Sequence, residues 1–209
     1  PVKIAKKVAK RAGLPVMAHV GEPPPLLEEV LEVLTPGDVV THCFHGKAGG
    51  SIGDGEDIFA EAERCVAAGI RFDIGHGAAS FSFKVAREAI GRGLFPFSIS
   101  TDAHIRSLDG AVQDLATTMA KLMALGMSLE QIVGAVTRAP AEVIGLRDRQ
   151  TLAVGGRAEF TLFDIVDSEL AVVDSTGHGM TVKQIIEPRF AVIGAEAIAA
   201  SRHAARKIG

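Results

Sequence analysis

The sequence has few of the features that would point to a secreted, membrane-bound or nucleic-acid-binding protein. Its two cysteines, Cys43 and Cys65, are too few for a disulfide framework, so a reducing cytoplasm is the expected location. A formal net charge of −3 gives no electrostatic reason to expect nucleic acid or an anionic membrane as a partner. No apolar run approaches the roughly 20 residues that a membrane-spanning helix needs. What remains is typical of a soluble globular protein with enough apolar sequence for a sizeable core.

A starting methionine is also absent. The chain opens at Pro1 and passes directly into "VKIAKKVAKRAG", which predicts an amphipathic helix that ends at Gly13. Such a start is typical of entry into the middle of a fold. We therefore expect the sequence to be part of a longer chain.

Four consecutive segments share one pattern: a short apolar run, a polar residue at its end, a Gly or Pro break, and then a helical pattern. The apolar runs with their polar ends are "LPVMAHVGEPP", "GDVVTHCFHGKAGG", "IRFDIGHGAAS" and "LFPFSISTDAH". Strands that alternate with helices predict right-handed βαβ units and a parallel sheet. The short, almost wholly apolar runs are typical of strands covered on both faces.

The pattern changes after the fourth unit. The stretch "SLEQIVGAVTRAPAEVIGL" predicts two helices, the first of them capped by Ser128. Beyond residue 150, "GGRAEFTLFDIV" and "KQIIEPRFAVIGA" are β-like, with a polar stretch around "DSTGHGM" between them. This part of the chain therefore resembles a small β appendage rather than further βα units.

The polar residues that close the four predicted strands are His19, His42, His76 and Asp102. Each is about one βα unit from the next, so all four belong at the carboxyl edge of the parallel sheet, where α/β proteins place their sites. On a flat sheet, four strand ends would spread over roughly 14 Å, too far for a single ion to reach. In a closed barrel, the strand ends face a common axis. Imidazoles and a carboxylate would then suit Zn²⁺ or a similar divalent metal, so the metal site requires the barrel.

Four motifs carry a resemblance to a known family: "MAHVGEPP", "VVTHCFHGK", "RFDIGHGAASF" and "FSISTDAH". In this order and at these spacings they resemble strands five to eight of the amidohydrolase superfamily of metallohydrolases. The most similar subgroup is the amidohydrolase/deacetylase group, which resembles dihydroorotases. The resemblance covers roughly residues 1–165. It implies an α/β fold: the C-terminal half, strands five to eight, of a TIM-type (β/α)8 barrel with a small C-terminal β appendage.

The resemblance also implies roles for individual residues. His19 and His42 match the two histidines that bind the more exposed metal ion. Asp102 matches the strand-eight aspartate, which ligates the other metal and takes a proton from the metal-activated hydroxide that attacks a carbonyl. His76 matches a position that family members use toward the substrate or the leaving group. The implied cofactors are one or two divalent metal ions, with Zn²⁺ the expected one.

Two parts of the family's site have no counterpart in this sequence. The family takes an H-x-H pair from strand one and a bridging, usually carboxylated, lysine from strand four, whereas this chain begins just before strand five. We expect residues 1–150 to form a partial hydrolase barrel, and residues 151–209 to form the C-terminal part of a small β-sandwich and a tail. A complete protein would need on the order of 150 more residues upstream, given a typical barrel of about 250 residues.

Other histidines and Cys43 have more ordinary interpretations. Cys43 follows His42 on the strand and should point to the opposite side, as a small packed residue. His45 falls in the loop beyond His42. His104 could line the pocket or orient a neighbour. The remaining pair, His178 and His203, is typical of the protein surface.

Two functions from different classes follow. The first is a metal-dependent hydrolase that cleaves an amide or ester carbonyl, with Asp102 as base, in a small acylated or cyclic amide substrate; a deaminase on the same scaffold is its closest competitor. The second is a non-catalytic half-barrel that associates with a partner or with itself, because half a barrel leaves open strand edges and an uncovered apolar interior. A homo-oligomer is compatible with either hypothesis.

Overall fold

The computed structural model describes residues 1–105, 107–146 and 152–203, and helices and strands alternate in it as far as residue 91. The helices are α1 (Val2–Ala12), α2 (Leu27–Leu31), α3 (Glu56–Ala67), α4 (Phe83–Gly91), α5 (Leu115–Ala124), α6 (Leu129–Val136) and α7 (Arg138–Val143). The strands are β1 (Met17–His19), β2 (Val39–Thr41), β3 (Arg71–Asp73), β4 (Glu159–Val173), β5 (Gly179–Ile193) and β6 (Glu196–Ala199). The predicted domain boundary between residues 150 and 151 lies outside the described residues.

The first three strands form a parallel sheet in the order β1–β2–β3. Ala18 pairs with Val40, and Val40 pairs with Phe72. All three side chains are buried, and they share one face of the sheet because paired residues of neighbouring strands point to the same side. The prediction of an α/β fold with a parallel sheet is therefore confirmed.

The fourth predicted strand continues this sheet without forming a regular strand of its own. Ser98 forms an isolated parallel bridge with Asp73. The Ile74 amide donates to the Ser98 carbonyl (3.1 Å), and the Phe97 amide donates to the Phe72 carbonyl (2.8 Å). The sheet order thus follows the chain through a fourth segment, while closure into a barrel stays a prediction.

A buried carboxylate joins three strand segments of the parallel sheet. Asp73 accepts hydrogen bonds from the hydroxyls of Thr41 (2.6 Å), Ser98 (2.7 Å) and Ser100 (2.6 Å). Its exposed fraction is 1 %. Because a buried charge is costly unless hydrogen-bonded, these three donors account for an acid inside the sheet.

The helix ends follow local sequence signals. Gly13 ends α1 with φ at 66°, a left-handed conformation that glycine adopts without strain. Ser128 and Gln131 form the capping box predicted at the start of α6. Helix α5 begins at Leu115 because the Asp114 side chain accepts from the Thr117 amide (2.6 Å) and sets the N-cap there.

The last three strands form a separate antiparallel sheet in the order β4–β5–β6, so the predicted β appendage is present as a long hairpin with a short third strand. Val172, Val182 and Ile186 are its buried apolar residues, and β5 packs against α5. No helix in the described part of the chain is both long and apolar enough to cross a membrane.

Candidate metal centre

The structure brings the three predicted metal ligands to one edge of the parallel sheet. His19 is the last residue of β1, and His42 directly follows β2. Their imidazole rings meet edge to face, with centroids 4.4 Å apart. Burial and the neighbouring His42 lower the pKa of His19, while the carboxylate of Asp102 acts on that pKa in the opposite direction. Asp102 therefore lies close enough for its charge to act on His19.

The ring of His42 is oriented by the backbone of the next strand. Its Nδ1 lies 2.6 Å from the Gly75 carbonyl oxygen. A carbonyl can only accept, so Nδ1 carries a proton, and in the neutral ring Nε2 keeps its lone pair. Metal-binding histidines in proteins commonly have this arrangement, in which a second partner holds Nδ1–H and fixes the tautomer.

Two of the predicted ligands have an unusual backbone conformation. Non-glycine residues with positive φ, within the described ranges, are His42 (77°), Asp102 (46°) and Gln113 (61°). Such conformations are uncommon outside glycine and cluster at functional sites. The positive φ of His42 and of Asp102 therefore indicates a functional constraint at these residues rather than an ordinary loop conformation.

The segment Gly75–Gly77, which we call the GHG segment, packs directly against both of these residues. A Cβ atom added to Gly75 would lie 2.6 Å from His42 Nδ1, and one added to Gly77 would lie 3.0 Å from Asp102 Oδ2. Both glycines also have positive φ (50° and 52°). Only glycine permits this close approach without displacing the two side chains.

His76, the fourth strand-end residue, has a different environment. Its side chain is completely buried. Nδ1 lies 3.0 Å from the Gly77 carbonyl oxygen, and Nε2 lies 3.0 Å from Nζ of Lys121. Burial, followed by the Lys121 charge, lowers the pKa of His76 to about 4, so the ring is neutral at pH 7. With both nitrogens bonded within the protein, contact between His76 and a substrate stays a prediction.

His45 is buried but differs from His42 in its tautomer. Its Nδ1 accepts from the Lys47 amide (3.0 Å), which places the proton of the neutral ring on Nε2. Burial lowers the pKa of His45 to about 4. Because a protonated nitrogen has no lone pair for a metal, this geometry does not favour His45 as a ligand.

The remaining residues lie where ordinary interpretations place them. The predicted surface position of His178 is confirmed, since 79 % of its side chain is exposed. His203 and His104 are also exposed. Cys43 is fully buried, and burial raises the pKa of its thiol far above the usual range, as expected for a packed residue.

The donor set fits a divalent metal in its chemistry. Two imidazoles and a carboxylate are ligand types that Zn²⁺ accepts. However, no group of three His, Cys, Asp or Glu side chains is arranged to hold a metal ion within residues 1–105, 107–146 and 152–203. Metal binding by His19, His42 and Asp102 therefore stays a prediction.

Sequence reasoning did not identify Lys121, which links the GHG segment to the rest of the molecule. Lys121 is completely buried, although it is the only charged residue of α5. A single lysine within the apolar stretch "TTMAKLMALG" was the available signal. Lysine is almost never fully buried without partners, so its position in that helix pointed to a specific role.

Comparison with known proteins identifies relatives of this chain. A family model described as a Deacetylase-like composite domain matches residues 152–197. The protein named Deacetylase Atu3266, from Agrobacterium fabrum, is 61 % identical over 206 residues, which are 99 % of this chain and 51 % of that protein. A crystal structure described as a dihydroorotase is 60 % identical with a TM-score of 0.94, over 99 % of this chain and 54 % of its own. A crystal structure described as an adenine deaminase is 39 % identical with a TM-score of 0.90, over 96 % of this chain and 55 % of its own.

These matches confirm the family resemblance drawn from the four motifs. They also confirm the α/β fold, because both solved structures superimpose on almost the whole chain. The chain spans about half the length of the relatives that it matches.

Proposed function

We propose that the complete protein is a metal-dependent hydrolase. The premise is that this chain is homologous to about half of an amidohydrolase-superfamily deacetylase. The proposed reaction is cleavage of an amide or ester carbonyl in a small acylated or cyclic amide substrate. In this proposal, residues 1–150 form the strand-five-to-eight half of a (β/α)8 barrel, and residues 151–209 contribute to a small β-sandwich.

The residues of this chain have separate tasks in the proposed reaction. His19 and His42 hold the more exposed of one or two divalent ions, for which Zn²⁺ is the proposed identity. A divalent ion bound there supplies Lewis-acid activation of the carbonyl and of the attacking water. Asp102 takes the proton of that water and returns it to the leaving group, as a carboxylate within reach can do. His76 stays a candidate for substrate contact.

The observation that supports this proposal best is the orientation of His42. Its Nδ1–H is held by the Gly75 carbonyl, and its Nε2 is left free on the edge that His19 and Asp102 share. A structural histidine gains most from hydrogen bonds at both nitrogens, whereas a ligand needs one free lone pair. The positive φ at His42 and Asp102 adds independent support.

The proposal is tested by metal analysis and turnover of the complete natural protein that contains this sequence. We expect at least one tightly bound divalent ion, and loss of acyl hydrolysis when a chelator removes it. His42→Asn and Asp102→Asn are the informative variants because asparagine tolerates positive φ. Each should lower kcat/KM by about a thousandfold or more and leave the fold intact, and His42→Asn should also weaken metal binding.

Matched substitutions at exposed positions provide the controls. His203→Asn and Asp164→Asn change the same residue types at exposed positions, one beyond β6 and one on β4, and neither residue lies in the β4–β5 turn. We expect wild-type metal content and turnover for both. Full activity in metal-stripped protein, or in His42→Asn, would rule out the proposal.

A deaminase is the second candidate, because a solved structure described as an adenine deaminase also superimposes on this chain. The two activities share the proposed metal site and differ in the leaving group. Assays that detect released acetate or carboxylate and released ammonia separate them directly. Ammonia release from an amino-substituted heterocycle, without hydrolysis of acyl substrates, would replace the first candidate by the second.

The non-catalytic alternative concerns the 209-residue chain itself. The large exposed apolar residues of α1 and of the sequence that follows it would favour association: Ile4, Val8, Leu14 and Met17. Measurement of the chain's size in solution tests this alternative. A well-folded monomer of the isolated chain would contradict the self-associating half-barrel, whereas a defined dimer would support it.

A further inference from the structure

The most unusual group outside the predicted ligand set is the buried ammonium of Lys121. Its Nζ contacts three acceptors: His76 Nε2 (3.0 Å), the Val173 carbonyl (2.8 Å) and the Ala111 carbonyl. An ammonium group has three N–H donors, so this environment satisfies all of them. A fully satisfied buried charge fixes the position of whatever it binds.

One of these partners leads to the metal centre. The Lys121 ammonium can only donate, so His76 accepts at Nε2 and carries its proton on Nδ1, which donates to the Gly77 carbonyl (3.0 Å). The backbone amides of His76 and Gly77 donate to the carbonyls of Ser100 (3.0 Å) and Thr101 (2.9 Å). Lys121 therefore holds the ring of the residue at the centre of the GHG segment.

A second group of contacts reaches the same segment from the antiparallel sheet. Val173, which accepts from Lys121, is the last residue of β4. Ser175, in the turn that follows, donates its hydroxyl to the carbonyl of Gly77 (3.0 Å), with the carbonyl of His76 also near (3.3 Å). Its amide donates to the Phe81 carbonyl (3.0 Å). The β4–β5 turn thus contacts the backbone of the GHG segment, and Lys121 contacts the side chain of its central residue, His76.

That piece of backbone contacts two of the three predicted ligands. The Gly75 carbonyl orients His42, and Gly77 packs against the Asp102 carboxylate. We infer that Lys121 and Ser175 are positioning residues, which set the GHG segment and through it the orientation of His42 and Asp102. This inference rests on the proposed function, in that it assigns a supporting role at the same metal centre.

The antiparallel sheet has an indirect role at the metal centre in this arrangement. The sheet contributes no predicted ligand, yet Ser175 in its β4–β5 turn donates to the GHG segment, and Val173 at the end of β4 accepts from Lys121. Partners of metal ligands commonly affect metal affinity 10- to 100-fold without touching the ion. A change in the turn should therefore be measurable at the metal centre.

The test compares Lys121→Met with Lys84→Met in the complete natural protein. Methionine keeps the length of the lysine stem and removes the ammonium, while Lys84 is an exposed lysine on α4. The Kd for Zn²⁺ and the visible spectrum of the Co²⁺-substituted protein report on the metal centre, and urea denaturation reports on stability. We expect a Kd at least about tenfold higher and an altered Co²⁺ spectrum for Lys121→Met, and wild-type values for Lys84→Met.

A folded Lys121→Met protein with wild-type Kd and spectrum would overturn the inference. If that variant does not fold, Ser175→Ala decides, because it removes only the hydroxyl contacts at the GHG segment. A Kd about threefold or more above wild type for Ser175→Ala would support the inference, and an unchanged Kd would overturn it.

Imidazole ¹⁵N shifts separate this inference from the proposed function. If the wild-type protein binds no divalent ion, the proposed function fails on its own. The tautomer of His42 then decides the inference without metal: loss of the Nδ1–H form in Lys121→Met, or in Ser175→Ala if the first does not fold, would support positioning. An unchanged tautomer would overturn it.

Discussion

The parallel and antiparallel regions of this molecule achieve order in different ways. The parallel sheet consists of three-residue strands that are covered by helices, and its interior contains fully buried residues such as Phe44 and Phe72. The antiparallel sheet has two 15-residue strands, yet Val172, Val182 and Ile186 are its buried apolar side chains. The parallel sheet is held together mainly by the packing of buried side chains, and the antiparallel sheet mainly by backbone hydrogen bonds along its hairpin. Chemistry that needs fixed side chains is therefore expected in the first region.

Truncation of one phenylalanine in each region should give the largest difference between them. Phe72 on β3 is 1 % exposed, whereas Phe190 on β5 is 44 % exposed. We expect Phe72→Ala to lower the free energy of unfolding by about 3–5 kcal/mol, because it leaves a cavity in a close-packed interior. Phe190→Ala should cost less than about 1 kcal/mol. Urea denaturation measures both, and equal losses would contradict the comparison.

A second pair of substitutions compares a buried carboxylate with an exposed one. Asp73→Asn replaces one of the two oxygens that accept from three hydroxyls, so buried donors lose a charged partner. We expect a loss of about 1.5–3 kcal/mol. Asp164→Asn removes the partner of Arg189 in an ion pair whose side chains are more than half exposed, and should cost less than about 1 kcal/mol.

The same denaturation experiment decides the outcome for the carboxylate pair. A smaller loss for Asp73→Asn than for Asp164→Asn would mean that the hydroxyl contacts do not hold the parallel strands together.

The pH dependence of stability should come largely from the parallel region. Burial lowers the pKa of both His45 and His76 to about 4, below the ordinary value of 6.5. As the pH falls from about 6.5 to 4, the unfolded chain binds protons that the native protein does not, so stability falls. Each histidine can contribute up to about 3 kcal/mol.

Urea midpoints measured between pH 7 and pH 4.5 test this expectation. His76→Gln should reduce the slope of stability against pH relative to that of the wild-type protein. The pKa of Asp38 is also lowered: burial alone would raise it, but hydrogen bonds from Lys6 and two backbone amides outweigh that effect. This carboxyl therefore affects stability at lower pH than the histidines do. Its stabilisation is present above the ordinary carboxyl pKa and is lost only as the pH falls through the lower native value. A slope that is identical in both proteins would contradict the assignment to His76.

The smallest effect is expected on the exposed face of the hairpin. Lys183 and Glu169 form a cross-strand ion pair at 2.6 Å, with both side chains more than two thirds exposed. Lys183→Gln should change the free energy of unfolding by less than about 0.5 kcal/mol, and the change should vanish in high salt. A larger, salt-independent loss would show that the hairpin depends on its side chains more than its burial indicates.

The periodicity of the chain was sufficient to predict the α/β region and the edge where His19, His42 and Asp102 lie. Each βα unit places one polar residue at the same end of a parallel sheet, so sequence spacing alone carries that information. The capping box at Ser128 was predictable for the same reason, since it depends on residues three positions apart.

Contacts between distant parts of the chain could not be predicted in this way. The hydrogen bond from His42 to the Gly75 carbonyl joins two different βα units, and the contacts of Lys121 join a helix to a loop and to the end of β4. They depend on how units pack in three dimensions, which neither spacing nor composition specifies. The predicted roles of His19, His42, His76 and Asp102 stay predictions until a metal ion or a substrate is placed at this edge.

The sequence distance between paired strands differs between the two sheets, and this difference affects the order in which they form. The β4–β5 hairpin joins neighbours along the chain, as in Val173 with Gly179, whereas the parallel sheet joins Met17 to Val39 and Val39 to Arg71. Short loops close sooner than long ones, and isolated hairpins form in about 1–10 μs. We expect the β4–β5 hairpin to form first, because its contacts are local, and the βα units to assemble more slowly. Its turn then docks onto the GHG segment as a late step of folding.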